Sequence, residues 1–130
     1  MTRILVADDT PDIRIIAESM LQIKGNYDVA TANDGQEAIG MLVESHEKQM
    51  PYDAVITDIV MPRKDGLAVL DYIRQNSGSL PVVVMSGSAD DEQIKYIASK
   101  NAYFIKKPFD NMEFLEIVVQ ALENGSANRI

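Results

Sequence analysis

Apolar positions along the chain follow two alternating rhythms. Short contiguous runs, rich in β-branched residues, lie at 3–7, 27–32, 54–57, 82–85 and 103–105. Their length and composition are those of strands buried on both faces. Between the runs, apolar residues recur every three or four positions, as on one face of a helix. Ile13, Ile16, Ala17, Met20 and Leu21 mark the first helix, entered through Thr10-Pro11 as N-cap and first helical position and closed by Lys24-Gly25. Asn33-Asp34-Gly35 turns into a second helix carrying Ala38, Ile39 and Leu42, and the polar residues 44–49 are read as a connecting stretch. A third helix over 67–75 turns Leu67, Leu70 and Ile73 inward, and a loop follows at 76–79. A fourth, over 90–100, has acidic residues in its first turn, which favour the helix dipole. Ile94, Ile97 and Ala98 are its expected buried stripe, leaving Tyr96 towards solvent. Asp110 and Glu113 form the capping-box pattern that opens a fifth helix.

Strict strand–helix alternation predicts parallel strands, right-handed crossovers and helices on both faces, an α/β doubly wound (βα)5 sheet. All strand carboxyl ends then share one edge, which is where open α/β sheets place their ligands. Asp8 and Asp9, Asp58, Ser86 and Lys107 all fall at those ends. The 130 residues are read as one domain over 1–124, followed by a short flexible tail at 125–130.

Charge narrows the classes of partner. Twelve basic against twenty acidic residues leave a net charge of −8, which argues against a nucleic-acid-binding surface. With no cysteine, disulfides, thiolate metal sites and cysteine nucleophiles are excluded. The apolar run at 4–7 is too short for a signal peptide or a membrane span, so a cytoplasmic protein with no membrane partner is expected.

Three carboxylates at one sheet edge repel one another unless positive charge sits among them. Asp8, Asp9 and Asp58 offer only oxygen donors, which suits a hard divalent cation, Mg²⁺ or Mn²⁺ in its place. Lys107 adds a mobile positive charge for a phosphoryl oxygen, and Ser86 a hydroxyl hydrogen bond. A nucleophile, a metal and charge stabilisers are what phosphoryl transfer needs, with Asp58 as the natural nucleophile.

The motifs V-A-D-D, T-D-I-V-M-P-R-K-D-G, V-M-S-G and I-K-K-P-F, in that order, resemble the receiver domains of two-component response regulators, with a stand-alone chemotaxis-regulator-like chain as the nearest form. The resemblance spans residues 3 to about 123. It implies a flavodoxin-like sheet of order 2-1-3-4-5. It also implies phosphorylation of Asp58 by a sensor histidine kinase, a histidine phosphotransfer protein or a small phosphodonor. On the same ground Asp9 and Asp58 ligate Mg²⁺ directly, Asp8 acts through metal-bound water, and Val60 contributes its backbone carbonyl. Ser86 corresponds to the switch hydroxyl, Lys107 to the lysine that precedes a frequently cis proline, and Phe104 to the aromatic that moves inward on activation. Lys106 is read as a solvated neighbour and His46 as an exposed histidine. The resemblance implies a signalling module that is not an enzyme beyond its own phosphorylation and dephosphorylation. Its output would pass to an unknown downstream protein through contacts of a monomer or weak homodimer.

Departures from the family pattern are equally specific. Residues 44–51 look longer than in compact members, and Asn101-Ala102 stands where Gly-Ala is usual. Val60 and Ser88 flank the site and are neither acidic nor amide, which predicts a long-lived phosphoryl group. Tyr96 is read either as an isolated exposed tyrosine or as part of a partner surface. The wide apolar stripe of the fifth helix is read either as a helix sunk between its neighbours or as a face shared with a partner or second copy. Two other classes share parts of this chemistry. A haloacid-dehalogenase-like phosphatase also uses an aspartate nucleophile, but with an Asp-x-Asp pattern on its first strand and usually a cap domain. A receiver from a longer hybrid kinase or transcription factor is the other.

Overall fold

A computed structural model describes residues 2–124; the tail expected at 125–130 lies outside the described residues. The chain runs β1 (Arg3–Ala7), α1 (Pro11–Gly25), β2 (Asp28–Ala32), α2 (Gly35–Glu47), β3 (Ala54–Asp58), α3 (Gly66–Asn76), β4 (Val82–Ser86), α4 (Asp91–Ser99), β5 (Tyr103–Lys106) and α5 (Asn111–Asn124). The strands form one parallel sheet in the order β2-β1-β3-β4-β5, as the resemblance implied.

Period-2 alternation along each strand divides the core between the two faces of the sheet. Ile4, Val6, Ile56, Val83 and Met85 point to α1 and α5, where they meet Leu21, Phe114 and Val118. Leu5, Ala7, Val55, Val82 and Val84 point to the opposite face and meet Leu42, Leu70, Ile73 and Ile97 of α2, α3 and α4. Each fully buried Ile, Leu or Phe side chain is worth about 1.5–3 kcal/mol in water avoided. β3 and β4 are buried at every position, whereas β2 and β5 are partly open at the two edges. The apolar runs therefore mark the centre of the sheet, and their polar terminators mark its rim.

Several local expectations are corrected. Residues 44–47 belong to α2 and not to a connecting stretch. Ser45 is buried and satisfies its hydroxyl on the Leu42 carbonyl, while Lys48 bridges to Glu44 one turn back, so the polar sequence still serves a helix. Ile16 is 52% exposed and Ala98 is exposed, so the inward stripes of α1 and α4 are narrower than their apolar patterns. In α4 only Ile97 is fully buried. Thr10 is the N-cap of α1 with Pro11 behind it, but its side chain makes no cap bond; instead Asp8 Oδ1 accepts from the Thr10 amide at 2.9 Å. Asp110 accepts from the Glu113 amide as expected, whereas a reciprocal capping box forms at Asp90 and Gln93. α5 is largely sunk, with Phe114, Val118 and Ala121 buried, but Met112 and Val119 remain exposed. Asn101 sits at φ 59°, which explains why an asparagine can replace the glycine usual there.

Candidate functional site

Two turns set the site up. β1 ends in Asp8 and Asp9, and β3 ends in Asp58; the pairing of Ala7 with Thr57 brings these ends side by side. The chain then leaves β3 through a tight arc closed by Gly66, whose amide donates to the Ile59 carbonyl at 2.8 Å. A Cβ on Gly66 would lie 2.0 Å from the Asp58 carbonyl oxygen, so only glycine lets the arc return this close to the strand end.

Carboxylate oxygens of Asp8, Asp9 and Asp58 all lie within 4.8 Å of one another. Asp8 is fully buried and Asp58 8% exposed, while Asp9 is open to solvent. Lys107, delivered by the end of β5, reaches between them: its Nζ donates to Asp8 Oδ2 at 3.0 Å and to Asp58 Oδ2 at 3.1 Å. Lys106, beside it in sequence, is exposed, in keeping with its reading as a solvated residue. Ser86 closes β4 and is buried, its Oγ accepting from the Ser88 amide at 3.0 Å. The Lys107 amide donates to the Ser86 carbonyl at 2.9 Å, which ties the lysine loop to the serine loop. The Lys107–Pro108 peptide bond is cis.

The electrostatics are unbalanced. Burial, reinforced by the charge of Asp8, pushes the Asp58 carboxyl above its ordinary value, and Lys107 offsets this only in part. Burial alone would lower the Lys107 ammonium, but its hydrogen bonds and attraction to Asp8 and then Asp58 outweigh that and raise it. One lysine thus faces three carboxylates. The deficit of positive charge, together with an all-oxygen donor set, fits a divalent cation of the Mg²⁺ type.

The remaining residues of interest lie around this centre. Val60 is in the arc after Asp58, its side chain 62% exposed. Phe104 is half-buried on β5 against the α2–α3–α4 core. Tyr96 is exposed, as expected, and its hydroxyl donates to Asp71 of α3 while the Lys100 ammonium sits 5.4 Å above its ring. His46 is exposed, as expected.

Sequence reasoning missed two arginines. Arg63, in the arc, bonds the buried Asp34 at the start of α2. Arg74 of α3 is half-buried and donates to the carbonyls of Leu80, Lys100 and Asn101, joining the end of α3 to the end of α4. A cation directly after Pro62 was the available signal for the first; nothing in the local pattern marks the second.

Comparison with known proteins agrees with this layout. The family model described as the response regulator receiver domain matches residues 4–119. The receiver domain of NtrX from Brucella abortus has a TM-score of 0.79 at 34% identity, covering 92% of this chain and 98% of that one. A chain of the CheX-CheY-BeF3-Mg+2 complex from Borrelia burgdorferi has a TM-score of 0.78 at 25% identity, covering 92% and 88%. Among curated relatives, the transcriptional regulatory protein PrrA of Mycobacterium tuberculosis is 37% identical over 109 residues, which are 82% of this chain and 44% of that protein. The chain spans about half the length of the curated relatives it matches. The family match spans most of the chain, and the 2-1-3-4-5 sheet order is that of its receiver-domain neighbours: the chain belongs to the response regulator receiver domain family, a signalling domain of two-component systems.

Proposed function

We propose that Asp58 is the phosphoacceptor of a Mg²⁺-dependent receiver, supplied by a sensor histidine kinase or a histidine phosphotransfer protein. The observation that carries the reading is the placement of Lys107 Nζ between Asp8 and Asp58, beside three carboxylates held within 4.8 Å. Asp9, Asp58 and the Val60 carbonyl would hold the metal, with Asp8 as an outer support engaged by the Thr10 amide and Lys107. A bound Mg²⁺ supplies positive charge for the phosphoryl oxygens. An Asp58 carboxylate oxygen attacks phosphorus, a new O–P bond forms, and the bond to the donor nitrogen breaks with its electron pair leaving on the imidazole. Lys107 then turns from the carboxylates to a phosphoryl oxygen, and the Ser86 hydroxyl donates to another.

The consequence is a change of packing. Movement of Ser86 towards the phosphoryl group draws the β4–α4 loop inward, and Phe104 follows from its half-buried position. The α4–β5 surface then offers a different face to a downstream protein, a local charge event read at a distance. Tyr96 belongs to that surface. Val60 and Ser88 are exposed beside the site and lack the groups that would position a hydrolytic water, so the phosphoryl group is long-lived. Among the described residues no helix is long and apolar enough to cross a membrane. The net charge of −8 suits protein partners in the cytoplasm, with the chain a monomer or weak homodimer.

Incubation with Mg²⁺ and acetyl phosphate, followed by intact-mass measurement and peptide mapping, tests the reading. The expected result is one phosphoryl group on Asp58, dependent on Mg²⁺ and absent in Asp58→Asn, with a half-life beyond minutes. Turnover of a phosphomonoester without a phospho-Asp58 intermediate would overturn the acceptor role in favour of a phosphatase. A half-life of seconds would overturn the lifetime claim alone.

A further inference from the structure

Asp34 and Arg63 lie outside the carboxylate cluster, yet they hold the segment that leads out of it. Asp34 caps α2: its Oδ1 accepts from the Glu37 amide at 2.8 Å. Its Oδ2 is taken by Arg63, through Nε at 3.0 Å and through a second guanidinium nitrogen. The Asp34 side chain is 3% exposed, so the bridge is anchored on a fixed, buried point, whereas Arg63 reaches in from solvent. Arg63 also stands at φ 67°, a left-handed backbone that the Cβ of any non-glycine residue disfavours. One residue later, the Lys64 carbonyl presses on the same helix start: a Cβ on Gly35 would lie 1.9 Å from it. Two contacts of different kinds thus pin the middle of the arc to the N-terminus of α2.

The ends of the arc are pinned as well. The Ile59 amide donates to the Met85 carbonyl at 3.1 Å, and the Gly66 amide returns to the Ile59 carbonyl at 2.8 Å. Only Val60, Met61 and Pro62 lie between Ile59 and Arg63, and Met61 is buried. With Ile59 fixed on one side and Arg63 on the other, only three residues, Val60 among them, span the two anchors.

We propose that the Asp34–Arg63 bridge is a positioning device for the metal site. It holds the arc from outside so that the Val60 carbonyl stands beside Asp9 and Asp58, and Arg63 is a positioning residue with no contact to the reacting atoms. The proposal rests on the Mg²⁺-dependent phosphoacceptor reading above. A purely structural bridge would change thermal stability and leave cation affinity where it was; a positioning bridge changes cation affinity itself.

The test uses the whole chain, with Arg63→Ala, Asp34→Ser and the double variant. Serine keeps an N-cap acceptor for α2 while removing the partner of Arg63. Mn²⁺ affinity is measured from the electron paramagnetic resonance of the unbound ion, and the Mg²⁺ requirement from the rate of acetyl phosphate labelling. Each single variant is expected to bind Mn²⁺ about 10-fold more weakly, the low end of what loss of an outer support costs a metal site. The Mg²⁺ concentration for half-maximal labelling should rise in parallel, by more than the maximal rate falls. The double variant should be no weaker than either single one, since both remove one interaction. Wild-type Mn²⁺ affinity in Arg63→Ala overturns the proposal, whether or not its melting temperature drops, and that variant decides alone if Asp34→Ser does not fold. If the wild-type chain neither binds Mn²⁺ nor labels on Asp58, the phosphoacceptor reading fails and the proposal falls with it.

Discussion

Asp34 and Asp58 are both buried, 2% and 8% exposed, and both stand at the carboxyl edge of the same sheet, yet their surroundings push them in opposite directions. Asp34 has a backbone amide and a guanidinium to itself, and these hold its carboxyl below the ordinary value. Asp58 shares one ammonium with Asp8, and burial together with that neighbour's charge holds it above. The first is a completed interaction that stabilises the ionised form in the folded chain. The second is an incomplete one that folding alone does not satisfy. Burial by itself therefore says little about an aspartate; what separates a satisfied carboxylate from an unsatisfied one is whether the fold supplies enough positive charge.

Removing the shared cation should break the comparison most severely. In Lys107→Ala, Asp8 and Asp58 lose their common partner and their charges face each other at low solvent exposure. Loss of one partner from a buried pair costs about 3–5 kcal/mol, and the partial exposure of Lys107 brings the expected loss to about 2 kcal/mol at neutral pH. Urea unfolding checks this. Added Mg²⁺ should restore much of the loss, and acidification should shrink it, because the elevated carboxyl of Asp58 takes up its proton early.

Neutralising Asp58 should act with the opposite sign. Because its folded pKa lies above the ordinary 3.8, ionised Asp58 costs stability; that cost is absent below about the unfolded value and fully present above the folded one. Asp58→Asn should therefore melt higher than wild type at neutral pH without Mg²⁺, by about 3–5 °C, the equivalent of roughly 1 kcal/mol in a domain of this size. Mg²⁺ is expected to raise the melting temperature of the wild-type chain and to leave that of Asp58→Asn unchanged. A variant that melts lower than wild type without Mg²⁺ would mean that Asp58 is a satisfied carboxylate like Asp34.

The matching change at the other aspartate should lower stability, and by less. Asn at position 34 keeps the helix cap but weakens the bond to Arg63. Since the Asp34 carboxyl is held below its ordinary value, its contribution is present above the unfolded pKa near 3.8 and is lost as pH falls through the folded one. Melting curves across the acidic range should show Asp34→Asn below wild type at neutral pH, with the gap closing on acidification. At Asp58→Asn, by contrast, the gap has the reverse sign.

These two aspartates also mark how far the amino-acid pattern carries. The five strands and the convergence of Asp8, Asp9, Asp58, Ser86 and Lys107 at one edge are legible because strand ends are signalled locally, by an apolar run and its polar terminator, whereas the strand order came only from the family resemblance. Asp34 was read only as part of a turn into α2, because its partner arrives from 29 residues away on another loop. Arg74 escaped for the same reason, with carbonyl acceptors on Lys100 and Asn101 beyond any local window. Residues 44–47 read as a connecting stretch because they are polar, whereas Ser45 is buried by bonding its own helix and Glu44 and Lys48 pair along it. Ile16 and Ala98 fit helical spacing but lie past the edge of what the sheet covers. Periodicity gives a helix its face; only the packed neighbour sets the width of that face.

The smallest expected effect concerns Tyr96, which is exposed as the pattern suggested and has in addition a carboxylate partner. The hydrogen bond to Asp71, aided by burial of the ring and the negative charge, raises the phenol above its ordinary value of 10.0. A raised folded pKa means that the bond contributes in full below about 10 and is lost as pH rises through the folded value. Phenolate absorbance near 295 nm, compared between wild type and Asp71→Asn, should show one tyrosine whose ionisation moves down towards the ordinary value in the variant. Stability at neutral pH should change by no more than about 0.5 kcal/mol, as for other changes at solvent-facing positions. The informative readout is partner binding. If Tyr96 is held to α3 until activation, Asp71→Asn should let the α4–β5 face sample its activated packing more often. Capture of a downstream partner by the unphosphorylated variant would then rise, with the beryllofluoride-treated wild type as the reference. An unchanged tyrosine titration in Asp71→Asn would show that the ring is held by Lys100 and its own helix, and that α3 exerts no restraint on the surface.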